Sequence, residues 1–394
     1  MQTRIAIDAP DDLATAHDAA TELAVRCGFG EIATERLGRA AVAAATGMLD
    51  HADGGVLHLR PLQEEVTGAA APQVEILAVD RPGSPGSPGS LDASGGADGR
   101  HAGARAGGRL AALYELVTAL DRYDSPLGSV IRMTLSPADR PGPVTLPAVA
   151  VGVVWAPADG DVAPGGLNIH SARGLSTVVL GLGRGAEAAR RVAALQGFGA
   201  QMQQIDRVRA TLPGGGDMAL AAAQIEAQTG YVRVAGAGRF CACVVRADPE
   251  AASPIAVQPL LRQREALVDG GAMMRGPLAQ AQAGWPPQAL LVLHDDGLSW
   301  PWALEAYPGM LAHHPAIVAA VLHRDYCRQP GHGCVLVCRR SEECTAPAPA
   351  RPALPSAAAV VAADGDGSRP VAAARRPAGA TRRRRSPGPG RPAA

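Results

Sequence analysis

The chain has 394 residues, enough for two or three domains, and 47% of them are hydrophobic while only 3% are aromatic. Its 37 basic residues, all arginine, balance 37 acidic ones, so overall charge points to neither nucleic acid nor a membrane surface as partner. Seven cysteines without a C-x-x-C pair, no apolar signal core in MQTRIAIDAPDD and no apolar run of about 18 residues fit a reduced, cytoplasmic protein with cores of Ala, Val and Leu.

Residues 11–29 predict an amphipathic helix, with Leu13, Ala16, Ala20, Leu23, Ala24 and Cys27 at helical spacing and Asp11 or Asp12 as cap. Thr34 to His51 predicts a second, alanine-rich helix. Val56 to Arg60 and Val74 to Asp80 predict strands, the latter ending in a carboxylate. Residues 81–108 are Gly, Pro and Ser with scattered charge, a loop composition. Leu110 to Leu120 predicts a helix and Ser129 to Leu135 a closing strand. The order helix, helix, strand, strand, loop, helix, strand is that of an α/β sandwich.

Three segments of this half, AVAAATGMLDHADGG (41–55), VEILAVDRPG (74–83) and GGRLAALYELVTALDRYDSPLGS (107–129), resemble the anti-sigma-factor kinase type of GHKL ATP-binding domain. The resemblance implies ATP as ligand, with Asp80 as the adenine-binding carboxylate and Gly107 in the phosphate loop. It also places Ala43 and Gly47 where the family carries a general-base Glu and a Mg-binding Asn. The phosphate loop falls on Gly107, Gly108, Arg109, Leu110 and Ala111, with two of three glycines replaced. Side chains there obstruct the close approach of backbone N–H groups to phosphate. The resemblance therefore implies the fold and argues against kinase action.

Residues 137–147, PADRPGPVTLP, predict a linker. Val149 to Trp155 and Ser176 to Leu180 predict strands, the second followed by GLGRG (181–185), which lacks both G-x-G-x-x-G and a P-loop lysine. Helices are predicted at Ala186 to Leu195 and, capped by Asp217, at Asp217 to Gln228. Strands follow at Tyr231–Ala235 and Phe240–Arg246. Ala289 to Leu298, ALLVLHDDGL, is an apolar run without polar alternation, the pattern of a strand buried on both faces. Asp295 and Asp296 at its exit are either a turn or ligands for a hard cation. His294 is expected to pack inside that strand, and Trp285, Trp300 and Trp302 to pack around it. His313-His314-Pro315 predicts a solvated helix start. His332, Cys334 and Cys338 would share one strand face, as buried thiols rather than a zinc site, since zinc-type spacings are missing.

The series VVLGLGRG, YVRVAGAGRF, LLVLHDDGL and YPGMLAHHPAIVAAVLHRDYCR resembles the SpoIIE-type metal-dependent serine phosphatase (PPM) domain over about 200 residues. That family holds two Mg or Mn ions with a few Asp carboxylates, and the ions activate water for attack on phosphoserine. By this resemblance one carboxylate in four survives, at Asp296. The bridging position is Leu180, within Leu180–Gly185. An early one lies in Gly165-Gly166-Leu167, and a late one at Gly331-His332. Asp295 and His332 are the candidate substitutes.

The expected architecture is α/β (α+β): a GHKL-like α/β sandwich over 1–136, a linker over 137–147, a PPM-type α-β-β-α sandwich over 148–340, and a disordered tail over 341–394. The tail has nine arginines, four of them consecutive at 382–385, against four acids, the composition of a solubilising segment. The expected function is that of a phosphatase-like regulator in a bacterial partner-switching pathway, its partner an anti-sigma antagonist or another sigma-pathway protein, with a homodimer compatible. Three readings stay open: a pseudo-phosphatase, an active Mg- or Mn-dependent phosphatase, and an ATP-binding kinase.

Overall fold

The computed structural model describes residues 2–62, 73–81, 112–125, 127–137, 149–156, 166–172, 175–183, 218–226, 229–237, 240–247, 255–262, 279–286, 288–329 and 333–340. Residues Met1–Ala346 form one compact unit, and the second, Pro347–Ala394, holds none of the described residues. The fold is α+β, and the described residues form three five-stranded antiparallel sheets.

The first sheet runs, in spatial order, β1 (Thr3–Ile7), β2 (Gly55–Leu62), β3 (Gln73–Asp80), β5 (Gly128–Leu135) and β4 (Ala119–Ser125). One face is covered by α1 (Asp12–Arg26) and α2 (Glu31–His51). Ala16, Ala20, Leu23 and Ala24 of α1, with Leu37, Ala41, Ala44 and Met48 of α2, recur at helical spacing and pack on Leu57, Leu59, Val74, Ile76 and Met133. Small residues bring the helices close: a Cβ on Gly38 would stand 2.7 Å from the His17 ring. Asp12 accepts the N–H of Asp8 and of Ala9, each at 2.8 Å, which fixes the entry to α1.

The opposite face of the first sheet carries Leu77, Val79, Tyr123 and Val130, and these meet α3 (Pro315–Tyr326). Nine consecutive residues of α3, Pro315 to His323, are buried, because its far side lies on the middle sheet. A short helix apolar all round needs such cover. The middle sheet runs β12 (Ile255–Arg262), β11 (Phe240–Ala247), β14 (Leu290–Asp295), β15 (Gly333–Arg340) and β6 (Val149–Ala156). Leu290 and Val292 of β14 face α3, while Leu291 and Leu293 face the outer sheet, so the apolar run is buried on both faces as its pattern predicts. The outer sheet runs β13 (Ala279–Gly284), β10 (Tyr231–Ala237), β9 (Met218–Glu226), β8 (Leu175–Gly183) and β7 (Gly166–Ala172).

β6 is an edge strand, and its outer side is met by Arg60 of β2 and by Gln2, which precedes β1. The Arg60 guanidinium donates to the Val151 carbonyl at 3.0 Å, while Gln2 donates to the Val153 carbonyl and accepts the Trp155 N–H. Three backbone groups that would invite pairing with another chain are thereby occupied.

Two sequence expectations are corrected. In place of the helix expected at 217–228, Met218–Glu226 is β9, held between β8 and β10. Alanine favours helices, but Ala221, Ala223 and Ile225 alternate into the core between the sheets, and that burial overrides propensity. The helix expected at 110–120 is confined to 112–116 among the described residues, and β4 begins at Ala119. There Leu120 packs toward α1 and α2 and Tyr123 toward α3, so the segment serves both faces of the sheet. The loop at 82–108, the helix at 186–195, most of the linker and the tail from 341 lie outside the described residues.

Candidate functional site

β14 delivers Asp295 to the end of the middle sheet. Its Oδ1 accepts the N–H of Gly297 at 3.0 Å and the N–H of Cys334 at 3.1 Å, which ties the exit of β14 to the start of β15. The backbones cross closely here, since a Cβ on Gly297 would stand 2.7 Å from the Gly333 Cα, and Gly333 holds φ +98°. Beyond the turn the chain is clamped again. The Ser299 N–H donates to the Tyr326 carbonyl at 2.8 Å, and the Arg328 N–H to the Gly297 carbonyl at 2.8 Å. Asp295 thus closes a turn between buried elements. Asp296, next to it, is exposed.

His294 is buried beneath this turn, its ring against Trp300 and Trp302 with centroids 6.3 and 5.1 Å away. Its Nδ1 lies 2.7 Å from the Asp295 carbonyl oxygen; a carbonyl only accepts, so Nδ1 carries the proton. Trp285 and Trp302 are buried and Trp300 is partly so, the packing role expected of them. Cys243, Cys334 and Cys338 are buried free thiols, and burial pushes all three above the usual thiol range.

The donor set for Mg or Mn can be tested on these residues. Hard cations need several convergent oxygens. Asp295 directs one oxygen to two backbone donors. Among the described residues no three His, Cys, Asp or Glu side chains gather in a way that could hold a metal. Leu180 lies within β8 with Leu167 and Ala221 as its register partners. Gly165, Gly331 and His332 lie outside the described residues. The described residues therefore do not make up a two-metal site.

Asp80 ends β3. Its Oδ2 accepts the Ser129 N–H at 3.0 Å, clipping β3 to β5. Burial raises its pKa against the opposing pull of the Ser129 N–H, Arg324 and Arg122. Gly107, its partner in the expected ATP site, is outside the described residues. Ala43 packs partly buried against the helical core, and nothing lies within 4 Å of where a Cβ on Gly47 would be.

Among the described residues a buried assembly of charge lies elsewhere, between the first sheet and α3. Glu75 accepts from Arg60 Nε and Arg132 Nε, each at 2.6 Å, with the Glu75 side chain 2% exposed. Asp121 accepts the His314 N–H at 2.9 Å and lies 2.8 Å from His313 Nδ1. Arg339 donates to the carbonyls of Leu311, Ala312 and His313. The helix start at His313-His314-Pro315 is therefore an anchored junction and not the solvated turn that its polarity suggests. The sequence signal was a charge inside each apolar run: Arg60 in VLHLR, Glu75 in VEILAV and Arg132 in SVIRMTL.

No family model matches this sequence, and no curated protein matches it. Several solved structures do. The PP2C phosphatase domain of SpoIIE from Bacillus subtilis, with a fragment of its regulatory domain, is 12% identical with a TM-score of 0.37, covering 72% of this chain and 81% of that one. The RsbU and RsbW domains of a Mycobacterium tuberculosis protein are 16% identical with a TM-score of 0.32, covering 49% and 59% respectively. A serine/threonine phosphatase of Mycobacterium tuberculosis is 15% identical with a TM-score of 0.33, covering 49% and 97%. Likenesses this distant leave the reading to the side chains.

The turn role of Asp295 is directly testable. Asp295→Ala removes the acceptor of two N–H groups and is expected to destabilise the protein by about 1–3 kcal/mol in urea denaturation. Asp296→Ala, exposed beside it, is expected to change stability by less than about 0.5 kcal/mol.

Proposed function

We propose that this chain is a SpoIIE-type, phosphatase-like regulator of a bacterial partner-switching pathway that acts by binding and not by hydrolysis. Residues 1–136 are its anti-sigma-kinase-like part and residues 148–340 its phosphatase-like part. The observation that carries this reading is the use of Asp295 Oδ1 by the N–H groups of Gly297 and Cys334. The carboxylate that would stand in for the missing metal ligands serves as a turn anchor. The bridging position, Leu180, has no oxygen to offer. The partner is an anti-sigma antagonist or another protein of the sigma pathway, met through the folded surface.

The test is calorimetry of the full chain with Mn and with ATP, beside Mn-dependent hydrolysis of an aryl phosphate and capture of an anti-sigma antagonist. The expected result is no Mn-dependent turnover together with antagonist binding. Tight Mn uptake with hydrolysis abolished by Asp296→Ala would overturn it in favour of an active phosphatase. ATP binding weakened by Asp80→Asn would assign the nucleotide-binding alternative.

A further inference from the structure

Titratable groups from six elements converge where α3 meets the first sheet. Arg4 comes from β1, His58 and Arg60 from β2, Glu75 from β3, Asp121 from β4 and Arg132 from β5. Opposite them stand His313 and His314 before α3, then His323 within it. Arg339 of β15 holds the carbonyls of residues 311–313, and β6, with sequence VAVGVVWA, brings no titratable group.

Two imidazoles here are held in a form that acid removes. His314 is the N-cap of α3, and its Nδ1 accepts the Ala316 N–H at 3.1 Å. Only an unprotonated nitrogen accepts. Imidazolium would turn that acceptor into a donor and set positive charge at the positive end of the helix. His58 is 3% exposed, its Nδ1 has no hydrogen-bond partner among the described residues, and its ring lies edge-on to His323 with centroids 6.4 Å apart. A charge on His58 would be buried without a counter-ion beside it.

We propose that α3 and the first sheet form an acid-sensitive seam, in which proton uptake at His58 and His314 loosens α3 from the sheet while the helical core on the sheet's other face stays intact. This goes beyond the phosphatase-like reading and stands without it. Burial first, then His323 and Arg4, lowers the His58 pKa to about 3. Burial, then Arg132 and Arg60, lowers that of His314 against the opposing pull of Glu75 and Asp121. In the opened seam both return toward the ordinary imidazole value of 6.5. With folded values depressed, the closed form is fully favoured above that pH and loses ground as pH falls below it. At pH 5 His58 alone favours opening about 30-fold, and His314 acts in the same direction. Glu75, down at about 2, keeps its arginines at that pH, and Asp121 keeps its contacts with the His313 ring and the His314 N–H. The junction before α3 therefore stays tethered while the body of the helix lifts.

Hydrogen exchange of the full chain between pH 7.5 and 5, corrected for intrinsic rates, reads this directly. Peptides covering 315–326 and 73–80 are expected to open at least 10-fold more at pH 5, with 12–26 as an unchanged reference. His314→Asn keeps an oxygen acceptor at the cap but cannot titrate, and is expected to reduce the pH response measurably. His58→Leu is expected to remove up to about 30-fold. Far-UV circular dichroism at pH 7.5 checks folding, and His314→Asn carries the test if His58→Leu fails to fold. Equal protection at both pH values, an unchanged response in His314→Asn, or equal opening of 12–26 would overturn the proposal.

Discussion

Glu75→Gln is expected to lower the stability of the protein by about 3–5 kcal/mol, because it leaves two enclosed guanidinium groups without their anion. Glu75 sits opposite Arg60 in the β2–β3 register, with Arg132 on the next strand. The Arg60 side chain is 8% exposed and that of Arg132 13%. Arg60 also reaches the Val151 carbonyl, so the defect spreads to the edge of the middle sheet. Burial pushes the Glu75 carboxyl up, but Arg60 and Arg132 outweigh it and hold the pKa at about 2 against an ordinary 4.5. The folded value is depressed. The group therefore stabilises the protein fully above about pH 4.5 and loses that contribution as pH falls toward 2, on the order of 3 kcal/mol. Urea denaturation at pH 7 checks the first figure. At pH 3 the gap between wild type and Glu75→Gln should narrow. A variant within about 1 kcal/mol of wild type at pH 7 would show that water reaches the arginines. Replacing Arg60, Glu75 and Arg132 together by apolar residues of similar volume is expected to recover much of the loss, since desolvation of charge is then avoided.

How much was legible in the sequence depended on whether the signal was local. β14 was, because a run of apolar residues ending in Asp-Asp-Gly can be buried on both faces and then must turn. Both first helices were, because their apolar positions recur at helical spacing. β9 was not: AAAQIE carries helix-favouring residues, and only its place between two strands makes alternate positions count. The position of α3 was half legible. PAIVAAVL is apolar all round and so demands burial, but nothing in it says that its cover is the first sheet. The role of His314 was hidden for the same reason. A histidine before a proline looks like a solvated cap until Asp121, Glu75 and Arg132 arrive from three strands of a distant segment. At the exit of β14 the Asp295–Asp296 pair and the turn that follows it could be read directly. That Asp295 spends one oxygen on Gly297 and Cys334 could not, because Cys334 lies 39 residues further along the chain.

On the other side of α3, where it rests on the middle sheet, Gly152→Val is expected to yield little folded protein. Gly152 lies in β6 opposite Val337, and the first turn of α3 rests directly on it. A Cβ at this position would overlap the backbone of Pro315 and Ala316. Backbone cannot rotate away as a side-chain tip can, so α3 must lift from the middle sheet or β6 must bend out of it. Overpacking typically costs about 1–3 kcal/mol and more where the obstacle is rigid, which places Gly152→Ala at about 3 kcal/mol. Lifting α3 would also strain the Asp121 bond to His314 and the Arg339 bonds to residues 311–313, which supports the upper part of that range. Thermal melts followed by circular dichroism measure the loss. Gly47→Ala is the matching control, being another glycine-to-alanine change but at an interior position of α2 where no atom lies within 4 Å of the new carbon. It should stabilise by about 0.5–1 kcal/mol through helix propensity and reduced freedom of the unfolded chain. Opposite signs for the same chemical change would locate the effect in the contact between α3 and β6. Equal small effects at both positions would mean that α3 does not rest on β6.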